Sequence, residues 1–274
     1  MQKQHYIVII LACIVGIGLF IFADTVAKPK TPSANAMPSQ MPAATESVAA
    51  YDFGAYLDKV YKNFSKDSIA LISSLIKDES PENLNKLIAI FHQKEESVAE
   101  AYFTQKLGNS TKDPAKLTRA AELFEATSQL TTDEKLHHFL ADNAVSSYAA
   151  ANNLAPNDSN LLKLAVAYMN QGTNPMQGVT MLLDLVKKDS TNAEAQFMLG
   201  KFGIVSKQYD KALIRLEKVL YLQPQNTEAL FLAGMANKEL GNKEKAKALL
   251  TKCAAAVDNP ALRTEIEQYI KDIK

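Results

Sequence analysis

Residues 193–226 of this 274-residue chain read AEAQFMLGKFGIVSKQYDKALIRLEKVLYLQPQN, and residues 159–192 and 227–260 share their length and pattern. When the three stretches are aligned without a gap, positions 8 and 20 are mostly small, and positions 24 and 27 are mostly larger and apolar. In that order the residues are Val166, Gly200, Gly234; Gly178, Ala212, Ala246; Leu182, Leu216, Leu250; and Leu185, Val219, Cys253. A residue class that recurs at a fixed period indicates a repeated structural unit.

Each unit is predicted to be a pair of antiparallel helices. Positions 1–14 and 17–30 each fit about four helical turns, and a tight turn such as residues 206–208 separates them. Small residues at positions 8 and 20 let the two helices approach closely, and Pro224 ends the second helix of the middle unit. Because one pair cannot bury its own apolar face, we expect successive pairs to stack into an all-α solenoid of helical hairpins.

The middle unit resembles a tetratricopeptide repeat. The residues that match that family's pattern are Leu199, Gly200, Tyr209, Ala212, Leu216, Val219 and Pro224. The flanking units resemble it in the same register but more weakly, because Ser190 replaces the usual proline in one and the proline is displaced to Pro260 in the other. The resemblance implies a binding scaffold and names no partner.

The repeats are flanked by less regular helical segments. Residues 51–113 are predicted to form an N-terminal helical region, in which one helix ends around Gly108 and Asn109. Residues 114–158 are predicted to form an irregular repeat-like pair, whose first helix does not fit the 34-residue spacing. Residues 261–274 carry one apolar stripe, which predicts a helix that caps the last repeat or, alternatively, docks a partner.

The resemblance also implies where a partner binds, because the first helix of each unit lines a concave groove in that family. Carried over by position, the candidate groove residues are Lys163, Asn170, Phe197, Lys201, Ile204, Phe231, Met235 and Lys238. One subgroup of the family grips a C-terminal carboxylate with a lysine and an asparagine, but here Ala167 replaces that asparagine. The remaining apolar strip, edged by lysines, suits a helix or extended segment with apolar anchors and some acidic character.

The same strip has a second interpretation. Part of it could pack within or between repeats, or be covered by the chain's own N-terminal helices or by sister subunits. The sequence therefore leaves two functions open: a protein-interaction scaffold, and a structural or self-associating component whose groove is filled.

The amino terminus predicts a membrane anchor. Residues 6–23 contain no charged residue and would span about 27 Å as a helix, close to the ~30 Å hydrocarbon core. We expect a five-residue head (1–5), a single transmembrane helix (6–23) and a flexible Pro/Ala-rich linker (24–50). A cleaved signal peptide and a lipoprotein signal ending at Cys13 are the alternatives. So short a head favours export of the soluble part, which would then be periplasmic or extracytoplasmic.

Composition excludes other classes. Thirty basic and thirty acidic residues give a formal net charge of zero, which argues against nucleic acid as a partner. The two cysteines and four histidines form no metal-ligand pattern, and we find neither a phosphate-binding loop nor a nucleophile turn. We therefore predict no cofactor and no enzymatic activity. The expected partners are proteins, with the membrane and a second copy of the chain as further possibilities.

Overall fold

A computed structural model describes residues 51–172 and 174–273, and this part of the chain contains thirteen α-helices, one 3₁₀ helix at Tyr61–Asn63 and no β-strand. The helices are α1 (Phe53–Val60), α2 (Lys66–Lys77), α3 (Pro81–Gln93), α4 (Ser97–Thr111), α5 (Pro114–Ser128), α6 (Glu134–Leu154), α7 (Asp158–Gln171), α8 (Pro175–Lys188), α9 (Ala193–Val205), α10 (Tyr209–Leu222), α11 (Thr227–Glu239), α12 (Lys243–Ala256) and α13 (Pro260–Lys271). The predicted all-α class is confirmed for these residues.

The helices from α8 to α12 recur with the period of the sequence. Helices α8, α10 and α12 begin at Pro175, Tyr209 and Lys243, which are 34 residues apart, and each is 14 residues long. The first helices of the units begin after capping asparagines: Asn192 accepts a hydrogen bond from the backbone of α9, and Asn226 accepts one from α11. An asparagine at this place satisfies a backbone N–H that the first helical turn leaves unpaired.

Glycine sets the distance between the helices of a pair. A Cβ atom on Gly200 of α9 would lie 2.8 Å from Cγ of Leu216 on α10. One unit later, a Cβ on Gly234 of α11 would lie 2.7 Å from Cγ of Leu250 on α12. Leu216 and Leu250 are fully buried. In two consecutive units, therefore, the leucine at position 24 occupies the space that a side chain at position 8 would need.

The body has two layers, because consecutive helices from α2 onward pack together, and α4 also touches α6 and α9 also touches α11. Gln105 of α4 donates hydrogen bonds to Asn143 and Ser147 of α6. In the other layer Lys163 of α7 contacts Glu122 of α5, and α9 packs beside α11. We call α5, α7, α9, α11 and α13 the odd layer, and α4, α6, α8, α10 and α12 the even layer. The arrangement is the predicted helical-hairpin solenoid.

The region before the repeats differs from expectation at α4. This helix does not end around Gly108 and Asn109 but continues to Thr111. Gly108 lies inside the helix, and a Cβ atom on it would be 2.8 Å from Cγ of Leu117 on α5. The glycine thus permits close contact between α4 and α5 and does not end the helix. In the sequence alone, a glycine in either role looks the same.

Helix α6 is longer than the repeat helices and holds the first helix of the body in place. It spans 21 residues, and its added N-terminal turns carry Phe139. The ring of Phe53 on α1 stacks on Tyr102 of α4 at 3.9 Å and lies 6.0 Å from the Phe139 ring. The described ring contacts of α1 with other helices therefore lie on α4 and α6, in the even layer.

Helix α13 closes the end of the solenoid. Ile266 and the following Ile273 are 3% and 4% exposed against α12. Its other side is exposed and polar, with Glu265, Glu267 and Gln268. Such a helix covers the apolar face that the last pair would otherwise leave in water.

The head (1–5), the anchor (6–23) and the linker (24–50) lie outside the described residues. Among residues 51–172 and 174–273, no helix has both the length and the apolar character needed to cross a membrane.

Candidate partner-binding groove

All eight candidate residues lie on the first helices of the units. Lys163 and Asn170 are on α7, Phe197, Lys201 and Ile204 are on α9, and Phe231, Met235 and Lys238 are on α11. These helices belong to the odd layer. Helices α9 and α11 are direct neighbours within it, so that positions 5, 9 and 12 of two units face the same side.

The α7 end of this surface is a polar network with α5. The Lys163 ammonium contacts Glu122 at 2.8 Å, and the Asn170 amide donates to Glu125 at 2.8 Å. Glu125 also accepts a hydrogen bond from the Tyr148 hydroxyl of α6 at 3.3 Å. Burial, together with the nearby negative charge of Glu125, raises the pKa of Tyr148, so its hydroxyl stays neutral and keeps donating.

The centre of the surface is apolar. Phe197 and Lys201 of α9 are partly buried, and each retains some exposed surface. Ile204 and Met235 are 8% and 7% exposed, so they are buried and offer little surface to a partner. Phe231, at the same position as Phe197 one unit later, is also partly exposed.

The C-terminal end includes a residue that the repeat pattern did not mark as a contact. Tyr269 of α13 has its ring centroid 6.1 Å from that of Phe231. The Lys238 ammonium lies 4.5 Å from the centre of the Tyr269 ring and donates to its hydroxyl at 3.1 Å. Tyr269 follows Met235 by 34 residues, so continuing the period into the capping helix would have identified it. Helix α13 therefore both covers the last repeat and extends the odd layer.

We call the resulting surface the groove. Its apolar centre is formed by Phe197 and Phe231, and its cations are Lys163, Lys201 and Lys238. Within the described part of the chain, no group of three or more His, Cys, Asp or Glu side chains is placed to hold a metal ion.

Comparison with known proteins supports the fold. A family model of the tetratricopeptide repeat matches residues 228–258, which contain most of α11 and α12. The match is to the third unit, not to the middle unit in which the resemblance was strongest by residue pattern. No curated protein matches the chain.

Several solved structures are similar at low sequence identity. A tetratricopeptide repeat protein from Parabacteroides merdae ATCC 43184 is 16% identical, with a TM-score of 0.54 over 70% of this chain and 73% of that protein. The MamA protein is 16% identical, with a TM-score of 0.49 over 64% of this chain and 91% of its own. YrrB, described as a tetratricopeptide protein with an unusual peptide-binding site, is 16% identical, with a TM-score of 0.47 over 73% of this chain and 98% of its own. The first of these likenesses, with the family match, shows a tetratricopeptide-like helical solenoid.

Proposed function

We propose that this chain is a protein-binding scaffold whose groove holds a segment of a partner protein across α9 and α11. The observation that carries the proposal is the pair of partly exposed rings, Phe197 and Phe231, at the same position of adjacent helices. Lys201 and Lys238 stand one and two turns further along these helices. A partner with apolar anchors would cover the rings, and acidic residues beside those anchors would face the lysines.

The two ends of the groove limit where that segment lies. At the α7 end, Lys163 and Asn170 are already bonded to α5, so a partner gains little there without breaking bonds. At the other end, Tyr269 is in contact with Phe231 and Lys238. The energetic centre of binding is therefore expected at Phe197, with Phe231 as the second anchor.

We also propose that residues 6–23 tether the scaffold to a membrane, with the folded body on the exported side. The linker of residues 24–50, as a flexible coil, has a reach of about 30 Å. Tethering raises the local concentration of the groove for any partner at the same membrane. Protease treatment of sealed vesicles tests the orientation, because an exported body is cut from the exported face, and protection there would contradict it.

Co-purification tests the groove. The tagged full-length chain is crosslinked in intact cells, and the retained proteins are quantified for the wild type, Phe197→Glu and Lys201→Glu. Leu130→Glu is the matched control, because Leu130 is 84% exposed and lies outside the groove, between α5 and α6. Loss of a binding anchor is expected to lower at least one retained protein about tenfold, with no such loss in the control. An unchanged set of proteins, or equal loss in the control, would show that the groove assignment is wrong.

A further inference from the structure

The even layer presents a regular outer face on the side away from the buried core. Positions 18, 22, 25 and 29 of the three units are exposed on α8, α10 and α12. On α8 they are Met176, Thr180, Leu183 and Lys187; on α10, Asp210, Ile214, Glu217 and Tyr221; and on α12, Glu244, Ala248, Thr251 and Ala255. Leu182, Leu216 and Leu250 on the opposite side of these helices are fully buried. We call the twelve exposed positions the outer face.

Large apolar side chains are unusually exposed on this face. Ile214 and Tyr221 on α10 are 66% and 79% exposed, and Met176 and Leu183 on α8 are 60% and 41% exposed. Ile214 and Tyr221 are seven residues apart, so they stand on one side of α10 about 10 Å from each other. Apolar side chains grouped in this way mark an interaction surface more often than single exposed ones do.

The charges beside Ile214 are sorted by sign. At 100° per residue, Asp210 and Glu217 lie about 40° and 60° to one side of Ile214, and Lys211 and Lys218 lie about 60° and 40° to the other. Two copies of α10 related by a two-fold axis parallel to the helix bring each acidic side against the basic side of its mate. The same axis places Ile214 and Tyr221 against their own counterparts.

The sizes of the flanking residues agree with this axis. Because units stack in order, α10 lies between α8 and α12, and the two-fold places α8 of one copy opposite α12 of the other. The large side chains Met176 and Leu183 of α8 would then face α12, where Ala248 and Ala255 leave room. The sizes of the side chains on these two helices are therefore complementary.

We propose that the outer face is a self-complementary surface through which two copies of this chain associate about a two-fold axis parallel to α10. A membrane surface fits less well, because acidic residues interrupt the basic ones along all three helices. The proposal goes beyond the binding of a partner in the groove. Because the outer face belongs to the even layer and the groove to the odd layer, both grooves stay open in the dimer, and one dimer can hold two partner segments.

Sedimentation of the full-length chain in density-matched detergent tests the association. At about 100 µM, a dissociation constant in the micromolar range leaves mostly dimer. Ile214→Glu places two buried charges face to face and is expected to raise the dissociation constant by about tenfold or more. Leu130→Glu, which adds the same charge at an exposed leucine outside the face, is the matched control and is expected to change nothing.

Charge reversal tests the orientation of the two copies. Glu217→Lys sets lysine against Lys218 of the mate and is expected to raise the dissociation constant severalfold, and adding Lys218→Glu in the same chain is expected to restore it. In a Cys13→Ser background, Ile214→Cys is expected to form a disulfide with its counterpart under mild oxidation. Ala248→Cys is not, because its counterpart would lie on the far side of the face, about 20 Å away.

Three results would each overturn the proposal. The wild-type chain could remain a monomer at the highest concentration, which would leave the outer face to a different protein or a lipid. Ile214→Glu could have no more effect than Leu130→Glu. Finally, Ala248→Cys could crosslink to itself as readily as Ile214→Cys does, which would exclude this two-fold axis.

Discussion

Replacing Gly200 by alanine tests whether the glycine–leucine contact sets the spacing of the helix pairs. The new Cβ would lie 2.8 Å from Cγ and 2.9 Å from Cδ2 of Leu216, a fully buried side chain. Overpacking of this kind costs about 1–3 kcal/mol. Alanine is more favourable than glycine inside a helix by about 1 kcal/mol, which offsets part of that cost. The expected net loss of unfolding free energy is therefore about 0–2 kcal/mol.

The informative measurement is the same replacement when the leucine has been shortened. Leu216→Ala alone is expected to cost about 2–5 kcal/mol, because it leaves a cavity between α9 and α10. In that background the collision is gone, so Gly200→Ala is expected to stabilise the protein by up to about 1 kcal/mol. The sign of its effect therefore reverses, and the coupling energy between the two sites equals the overpacking cost of about 1–3 kcal/mol.

Urea unfolding followed by far-ultraviolet circular dichroism provides the four stabilities of this cycle. Gly234 and Leu250 have the same geometry one unit later, where an added Cβ would lie 2.7 Å from Cγ of the leucine instead of 2.8 Å. This pair is expected to show the same reversal of sign. If Gly200→Ala destabilises the protein equally with and without the Leu216 side chain, the contact does not set the helix spacing.

Three further substitutions or reactions test other parts of the structure. Asn226→Ala removes the cap that accepts the Ala229 N–H at 2.9 Å and is expected to cost about 1 kcal/mol in urea unfolding; no loss would mean that α11 begins without it. Phe53→Ala removes the partly buried ring stacked on Tyr102 and is expected to cost about 1.5–3 kcal/mol, whereas a loss below about 1 kcal/mol would show that α1 is not held by its aromatic contacts. Burial raises the pKa of the Cys253 thiol to about 11, so at pH 8 it stays protonated, and alkylation of its peptide, measured by mass spectrometry, is expected to be roughly a hundredfold slower than in urea. Alkylation within about tenfold of the unfolded rate would contradict that burial.

The helices of the repeats were predictable because one residue class recurs at each position. Position 17 is the first helical residue at Pro175, Tyr209 and Lys243, as a period of 34 residues requires. Before the repeats no such period exists. There the sequence offers only local signals, and Gly108 predicts a helix end although its role depends on Leu117 of another helix.

The helices that carry the candidate groove residues were predictable, but the contacts and burial of these residues were less so. The repeat register places all eight candidate residues on the first helices of the units. It could not predict that Lys163 pairs with Glu122, because Glu122 lies on α5, which does not follow the period. Nor could it predict that Met235 is only 7% exposed, since burial depends on how closely α9 and α11 approach each other.

The two proposed surfaces assign different tasks to the two layers. In the odd layer Phe197 and Phe231 would hold a partner segment, while in the even layer Ile214 and Tyr221 would join two copies. Substitutions on one layer are therefore expected to leave the other function intact. Phe197→Glu should not change the sedimentation of the chain, and Ile214→Glu should not abolish partner binding, although it would remove the gain from two linked grooves.

Site-specific photocrosslinking in intact cells tests the protein-binding groove most directly. A benzophenone amino acid is placed at Phe197 of the full-length chain, and in a separate variant at Leu130. A protein-binding groove predicts a discrete crosslink from position 197 to a different protein, through a peptide with apolar and acidic residues, and none from position 130. The absence of any crosslink to a different protein from position 197, or the same crosslinked products from both positions, would contradict it.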